Sequence, residues 1–280
     1  QRRDCGYVFQ NYALFPHMTL RENLAFAAER HPRLERGRRV NEMLDRFRIL
    51  EHASKLPNEV SGGQKQRCSI ARALITQPRL LLLDEPSRGL DSILRNELYQ
   101  LVGQIRTDYR IPIVLVTHDL DECFALGDTV LVYSGGRILQ SGPPRKVYSR
   151  PASPEVARTL GITNLFEAEV LALDPGRNTS RLRALGHELV GTYFPTRLLG
   201  DRVWLCVPPT ELRIQNQPGE NRVPVRLERV LERADSVRLE FAPPVSVELS
   251  RSEYAEYREN HREEGEWLVE FPPSALRLTG

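Results

Sequence analysis

No apolar run in the chain approaches the ~20 residues that a bilayer-spanning helix needs. Any membrane role is therefore expected to be peripheral. The four cysteines, Cys5, Cys68, Cys123 and Cys206, form no C-x-x-C pair. That argues against a zinc or disulfide framework and for reduced cytosolic thiols. A formal net charge of +2 comes with no face-long basic stripe, so the electrostatic footprint of nucleic-acid binding is missing. No signal-peptide pattern occurs within the 280 residues, and Gln1 already stands inside patterned sequence. We therefore expect a fragment whose N-terminal part is missing. With 280 residues, 40% of them hydrophobic, the chain can build one large domain or two ordinary ones.

What the chain does have is a short apolar run that ends in charge. Residues 80–83 are all leucine, and Asp84-Glu85-Pro86 follows. A run this short, closed by proline, predicts a strand buried on both faces of a parallel sheet. Charge in such a sheet collects at the carboxyl ends of strands, where open α/β sheets bind ligands. Alternation sends Asp84 and Glu85 to opposite sides. One can hold a metal ion while the other addresses an attacking water, as nucleotide hydrolysis requires. Alone, the pair reads equally well as a strand end starting a turn. A second apolar run, residues 111–117, ends in His118-Asp119. If the two strands are neighbours, His118 reaches the same ligand; otherwise it makes a strand-end hydrogen bond.

Upstream, Ser61-Gly62-Gly63-Gln64 opens a helix carrying Ile70, Ala73 and Leu74. Two glycines let the backbone approach a ligand closely. Exposed N–H groups and the helix dipole favour an anion there. The same stretch is also an ordinary turn into a serine-capped helix. Thr19, with Glu22 three residues on, predicts a capping box and a helix over residues 20–29. Further helices are expected over 40–50, 93–109, 120–126 and 146–160, a short strand over 5–9, and a hairpin from 129–133 and 137–140.

After about residue 166 the pattern turns to short alternating stretches. Strands are expected over 167–173, 182–185, 202–207, 223–229, 237–241, 245–249 and 267–271, with a charged helix or hairpin arm over 252–264. Pro208-Pro209-Thr210-Glu211-Leu212-Arg213-Ile214 recurs as Pro272-Pro273-Ser274-Ala275-Leu276-Arg277-Leu278, each copy following a tryptophan, Trp204 or Trp267. Two related half-barrels, or one barrel built from both, would account for this repeat.

Together these pieces resemble the nucleotide-binding subunit of an ATP-binding cassette (ABC) transporter. Gly6-Tyr7-Val8-Phe9-Gln10 resembles the Q-loop. Val60-Ser61-Gly62-Gly63-Gln64 resembles the LSGGQ signature, with Val60 where leucine is usual. Residues 81–85 resemble Walker B, and His118 the switch histidine. Residues 11–19, 137–142 and 148–151 resemble bacterial importers with a C-terminal TOBE extension, the group serving molybdate, sulfate, ferric iron, polyamines and maltose. Residues 160–166 lean towards molybdate.

The resemblance implies an α/β fold class: a partial P-loop NTPase (ABC ATPase) domain over 1–161, then an all-β OB-like (TOBE) domain over 162–280. It implies ATP and Mg2+, with Asp84 and Gln10 at the magnesium ion. Glu85 would orient or deprotonate the water, and His118 would contact the γ-phosphate. Ser61, Gly62, Gly63 and Gln64 would complete the ATP site of a partner subunit, with Asp91 at the same dimer contact. The implied partners are a second copy, two membrane-spanning permease subunits and, indirectly, a periplasmic or surface substrate-binding protein, but no nucleic acid. Residues 12–18, from Tyr12 to Met18, would lie near the groove for a permease coupling helix. The place would be the cytoplasmic face of the inner or plasma membrane.

Two departures stand out. No G-x-x-x-x-G-K-S/T occurs in the 280 residues. In this family that phosphate loop precedes the Q-loop, so it is expected upstream, and the chain alone is not expected to hydrolyse ATP. Arg88 also stands where the family usually has serine. Two alternatives remain open: a regulator without a phosphate loop, and a soluble ABC ATPase outside transport.

Overall fold

Three short strands make the first sheet of the computed structural model, which describes residues 4–260 and 266–279. They are β1 (Cys5–Val8), β2 (Leu80–Asp84) and β3 (Ile113–Val116), parallel and in that spatial order. They belong to the first of two compact units, Gln1–Gly127 and Asp128–Gly280. Five helices accompany them: α1 (Leu20–Ala27), α2 (Arg33–Arg46), α3 (Gly62–Leu74), α4 (Ser92–Tyr109) and α5 (Leu120–Leu126). Leu81 and Leu83 enter one core with Leu24, Leu44, Ile70, Leu74, Leu98 and Ile105.

The expected burial of β2 on both faces holds only in part: Leu81 and Leu83 are buried, Leu80 and Leu82 half-buried. On β3 Val114 and Val116 are 44% and 56% exposed, and Tyr7 and Phe9 at β1 are also exposed. The buried faces of α1 to α4 all enter the same core, so only one side of the sheet is covered by these helices. The capping box of Thr19 and Glu22 forms as expected, with the Glu22 N–H donating to Thr19 Oγ1 at 3.2 Å. The helix expected over 40–50 instead starts at Arg33 and ends at Arg46. Its first turns are polar and carry i,i+4 pairs, Arg39–Glu35 and Arg38–Glu42, so apolar spacing does not reveal them.

The second unit opens with a hairpin, β4 (Val130–Ser134) and β5 (Arg137–Gly142). Two short helices, α6 (Pro144–Ser149) and α7 (Pro154–Thr159), replace the one expected over 146–160. Pro154 cannot donate a helical N–H and starts the second helix, which Ser153 caps. Then come β6 (Asn164–Asp174), β7 (Thr179–Ala184), β8 (His187–Thr192), β9 (Arg202–Val207), β10 (Arg213–Gln215), β11 (Arg222–Glu232), β12 (Ser236–Ala242), β13 (Val245–Ser250), α8 (Arg251–Asn260), β14 (Glu266–Glu270) and β15 (Arg277–Thr279). α7 packs on both β4 and β9, and this compact unit begins at Asp128. The end of the charged segment expected over 252–264 lies outside the described residues.

Two five-stranded antiparallel sheets share one core, in the orders β15-β9-β6-β7-β8 and β10-β14-β11-β12-β13. The repeat marks where the sheets exchange strands. Pro208-Pro209 leads from β9 in the first sheet to β10, which pairs with β14 in the second. Pro272-Pro273 leads from β14 back to β15, which pairs with β9. A second pseudo-symmetric device accompanies the exchange. Asn164 at the start of β6 donates to the Ser246 carbonyl and accepts from its N–H, both at 2.7 Å. Asn221, just before β11, does the same to Val190, at 2.7 and 2.6 Å.

Candidate active site

Asp84, Glu85 and His118 meet at the carboxyl ends of β2 and β3. Glu85 follows β2 with φ +43°, a left-handed conformation uncommon for a residue with a side chain. Its N–H donates to the Val116 carbonyl at 2.9 Å, which fixes the turn to β3. One carboxylate oxygen lies 3.3 Å from His118 Nδ1, and the other accepts from Arg88 at 2.8 Å. The Arg88 guanidinium, reinforced by His118, holds the Glu85 carboxyl below the usual carboxylate range. Asp84 has a different neighbour: the Tyr7 hydroxyl donates to its Oδ2 at 2.9 Å. The two carboxylates therefore have separate surroundings, as a division of roles requires.

Magnesium binds through one or two carboxylates, with water and substrate phosphate completing the shell. Asp84 fits that demand, since Tyr7 engages only Oδ2. Among the described residues no group of three His, Cys, Asp or Glu could hold a metal ion alone, so phosphate and water would supply most of the shell. Gln10 lies in the exposed turn after β1, and among the described residues no hydrogen bond joins its side chain to Asp84.

The signature-like stretch forms the start of α3. Ser61 accepts from the Gln64 N–H at 3.3 Å, and Gln64 Oε1 accepts from the Ser61 N–H at 3.0 Å, a closed capping box. Gly62 and Gly63 make the first turn; a Cβ on Gly63 would meet Leu94 at 3.1 Å, so α3 packs tightly on the start of α4. Asp91 caps α4, accepting from the Leu94 N–H at 2.9 Å. In this state Gln64 and Asp91 thus serve their helices. None of Ser61, Gly62, Gly63, Gln64 or Asp91 is hydrogen-bonded to Asp84, Glu85 or His118 among the described residues.

The link between the two regions runs through a residue that motif reading missed. Gln66 is buried on α3 and donates to the Pro86 carbonyl in the turn after β2. Its signal was available: it shares the stripe of Ile70 and Ala73, where a polar side chain needs a partner.

Residues 11–18 lie over α1 and α3. Tyr12 and Ala13 both have positive φ, +64° and +46°. The conformation is held by Ser69, which donates to the Tyr12 carbonyl at 2.8 Å, and by Arg72, which donates to the Ala13 carbonyl at 2.7 Å. Buried Asn23 accepts from the Phe15 N–H at 2.8 Å and donates to the Met18 carbonyl at 3.0 Å. Beside this loop lies a groove of about 630 Å³ lined by Tyr7, Phe9, Phe15, Phe26, Glu29 and Arg72. Phe15 and Phe26 meet edge to face at 4.9 Å, and the Arg72 guanidinium lies 5.3 Å from the Phe15 ring centroid.

Comparison with known proteins shows the family. The family described as ABC transporter matches residues 1–88. The sulfate/thiosulfate import ATP-binding protein CysA of Thermosynechococcus vestitus is 33% identical over 91% of this chain and 71% of its own length. The chain belongs to the ABC transporter family. The spermidine/putrescine import ATP-binding proteins PotA of Nitratidesulfovibrio vulgaris and Thermotoga maritima are 36% and 38% identical over 85% and 77% of the chain. The chain spans 66% and 59% of those two proteins' own lengths, a little under two thirds. A solved post-hydrolysis dimer of the ATP-binding cassette MJ0796, bound to ADP and Pi, is 30% identical, with a TM-score of 0.46 over 51% of this chain and 64% of its own. This ABC chain combines the α/β ATPase fold with a β domain. Among its described residues no helix is long and apolar enough to cross a membrane.

Proposed function

We propose that the chain is part of the energy-coupling ATPase of an import system, acting at the cytoplasmic face of a membrane. The observation that carries this is the convergence of Asp84, Glu85 and His118 at the ends of two adjacent parallel strands. Glu85 orients or deprotonates the attacking water, from a turn held in a sparsely populated left-handed conformation. His118, in contact with Glu85, reaches the γ-phosphate. Asp84, with Gln10, would hold Mg2+, which neutralises charge developing on the phosphates. Arg88 grips Glu85 in this state and must yield an oxygen before that oxygen can address water. Ser61, Gly62 and Gly63 would present the start of α3 to ATP held by a second copy, so turnover requires closure of a homodimer.

The aromatic groove beside residues 12–18 is the docking place for a permease coupling helix, and two permease subunits would transmit closure to a substrate-binding protein outside. Replacing Phe15 and Phe26 together with alanine should weaken capture of the permease subunits by about 2 kcal/mol, roughly thirtyfold. Normal capture by that variant sinks the docking role. The relatives include importers of a cationic polyamine and of anionic sulfate, and nothing in them supports the lean towards molybdate. Cargo choice belongs to the other subunits.

Single-turnover ATP hydrolysis tests the reading. The 280 residues hold no G-x-x-x-x-G-K-S/T. We expect hydrolysis only from protein whose reading frame continues upstream of Gln1 through such a loop. If neither form binds or hydrolyses ATP, the catalytic reading fails. Failure of both forms then favours a binding module derived from such an ATPase.

A further inference from the structure

The turn between β2 and α4 is anchored at both ends and open in the middle. The Glu85 N–H donates to the Val116 carbonyl at 2.9 Å, and Gln66 holds the Pro86 carbonyl. Ser87 and Leu90 are buried, and Asp91 caps α4. Between them Arg88 and Gly89 are exposed. Gly89 has φ +75°, and a Cβ there would meet nothing within 4 Å. Arg88 is therefore held by its own polar contacts rather than by packing.

Those contacts go to Glu85. The Arg88 N–H donates to the Glu85 carbonyl at 3.2 Å, and Arg88 Nη1 donates to Glu85 Oε2 at 2.8 Å. Among the described residues the guanidinium makes no other ion pair. His118 Nδ1 stands 3.3 Å from Oε1. Both oxygens of the carboxylate assigned to the attacking water are thus engaged within this chain, and water needs one of them as an acceptor. The Arg88 side chain is 59% exposed and that of Glu85 25%. An exposed pair favours its closed form by no more than about fivefold. Such a contact restrains the carboxylate without holding it permanently.

We propose that Arg88 is an autoinhibitory brake: it occupies Glu85 Oε2, and the hydrolytic step proceeds only while the pair is open. The inference rests on the ATPase reading of Glu85 and names the contact that regulates it. The weakness of the pair sets the size of the brake, which slows idle turnover and does not abolish it. Its charge makes it sensitive to ionic strength, because salt screens exposed charges.

Arg88→Gln and Arg88→Lys separate a charged brake from a structural role. The pair uses one Nη1–Oε2 contact, which an ammonium can also make. In protein that carries a phosphate loop, with no permease present, single-turnover hydrolysis of ATP by Arg88→Gln should run up to about fivefold faster than wild type at ~0.05 M salt. At ~0.5 M salt the wild type should approach the variant, to within about twofold. Arg88→Lys should stay within about twofold of wild type at both. An Arg88→Gln protein no faster than wild type at low salt, or faster by the same factor at both, overturns the proposal. In the 280-residue chain, the Glu85 carboxyl carbon resonance should move in Arg88→Gln more than in Arg88→Lys. If the wild type does not hydrolyse ATP, the ATPase reading has failed. That resonance then decides alone whether Arg88 occupies Glu85, and an unmoved resonance in Arg88→Gln overturns the contact.

Discussion

Replacing Glu85 with glutamine should cut single-turnover hydrolysis about a thousandfold, in protein that carries a phosphate loop, while ATP still draws two copies together. The amide keeps the shape of the carboxylate, and its oxygen can still accept from Arg88. The turn itself is fixed through the backbone, by the Glu85 N–H on the Val116 carbonyl, so the substitution leaves the φ +43° conformation in place. What the amide cannot do is accept a proton from water. Asp84→Asn should differ in kind, weakening metal and nucleotide binding together, because it removes the only carboxylate assigned to the ion. Rapid-quench hydrolysis and light scattering with ATP separate the two phenotypes. A Glu85→Gln protein that hydrolyses within a few-fold of wild type removes Glu85 from the chemistry.

Asn221→Ala should destabilise the β unit by about 3 kcal/mol or more. Asn221 is 6% exposed. Its amide satisfies the Val190 N–H and carbonyl, and also donates to the Phe271 carbonyl at 2.8 Å. Alanine leaves three backbone groups without that partner, and a buried unpaired group costs about 1–3 kcal/mol. Asn164→Ala, which frees Ser246 in the same way, should act in the same direction. Both tryptophans, Trp204 and Trp267, belong to this unit, and Trp267 is buried against Phe241 with ring centroids 5.9 Å apart. Tryptophan fluorescence in a urea titration therefore reports on this unit and not on the ATPase part. An unchanged midpoint for Asn221→Ala would show that the clamp adds nothing to stability.

Much of the site can be read in the sequence because its chemistry sits where apolar runs stop. Asp84 and His118 each follow a strand-like run, and the parallel pairing of β2 with β3 brings those ends together. The position of Glu85 is legible, but its left-handed backbone is not, since nothing local demands it. Gln66 and Tyr7 escape for another reason. Their partners lie 20 and 77 residues away, and no motif spacing encodes such a meeting. Gln66 and Asn23 do leave a trace, as polar residues on apolar helical stripes. In the β unit the longer strands show as alternation, while β10 and β15, three residues each, are too short to see. Only the Pro-Pro repeat points at them.

The strand exchange has a consequence for how this protein is made. Arg277–Thr279 pairs with residues 204–206, so the first sheet acquires its last strand only when the final residues of the second repeat have left the ribosome. β10 likewise waits for β14, more than fifty residues downstream. Neither half can be completed during synthesis by waiting for its own sequence alone. Pairings of such long range close slowly. A nascent chain stalled before residue 266 therefore presents both sheets with an open edge, the surface that chaperones and aggregation compete for.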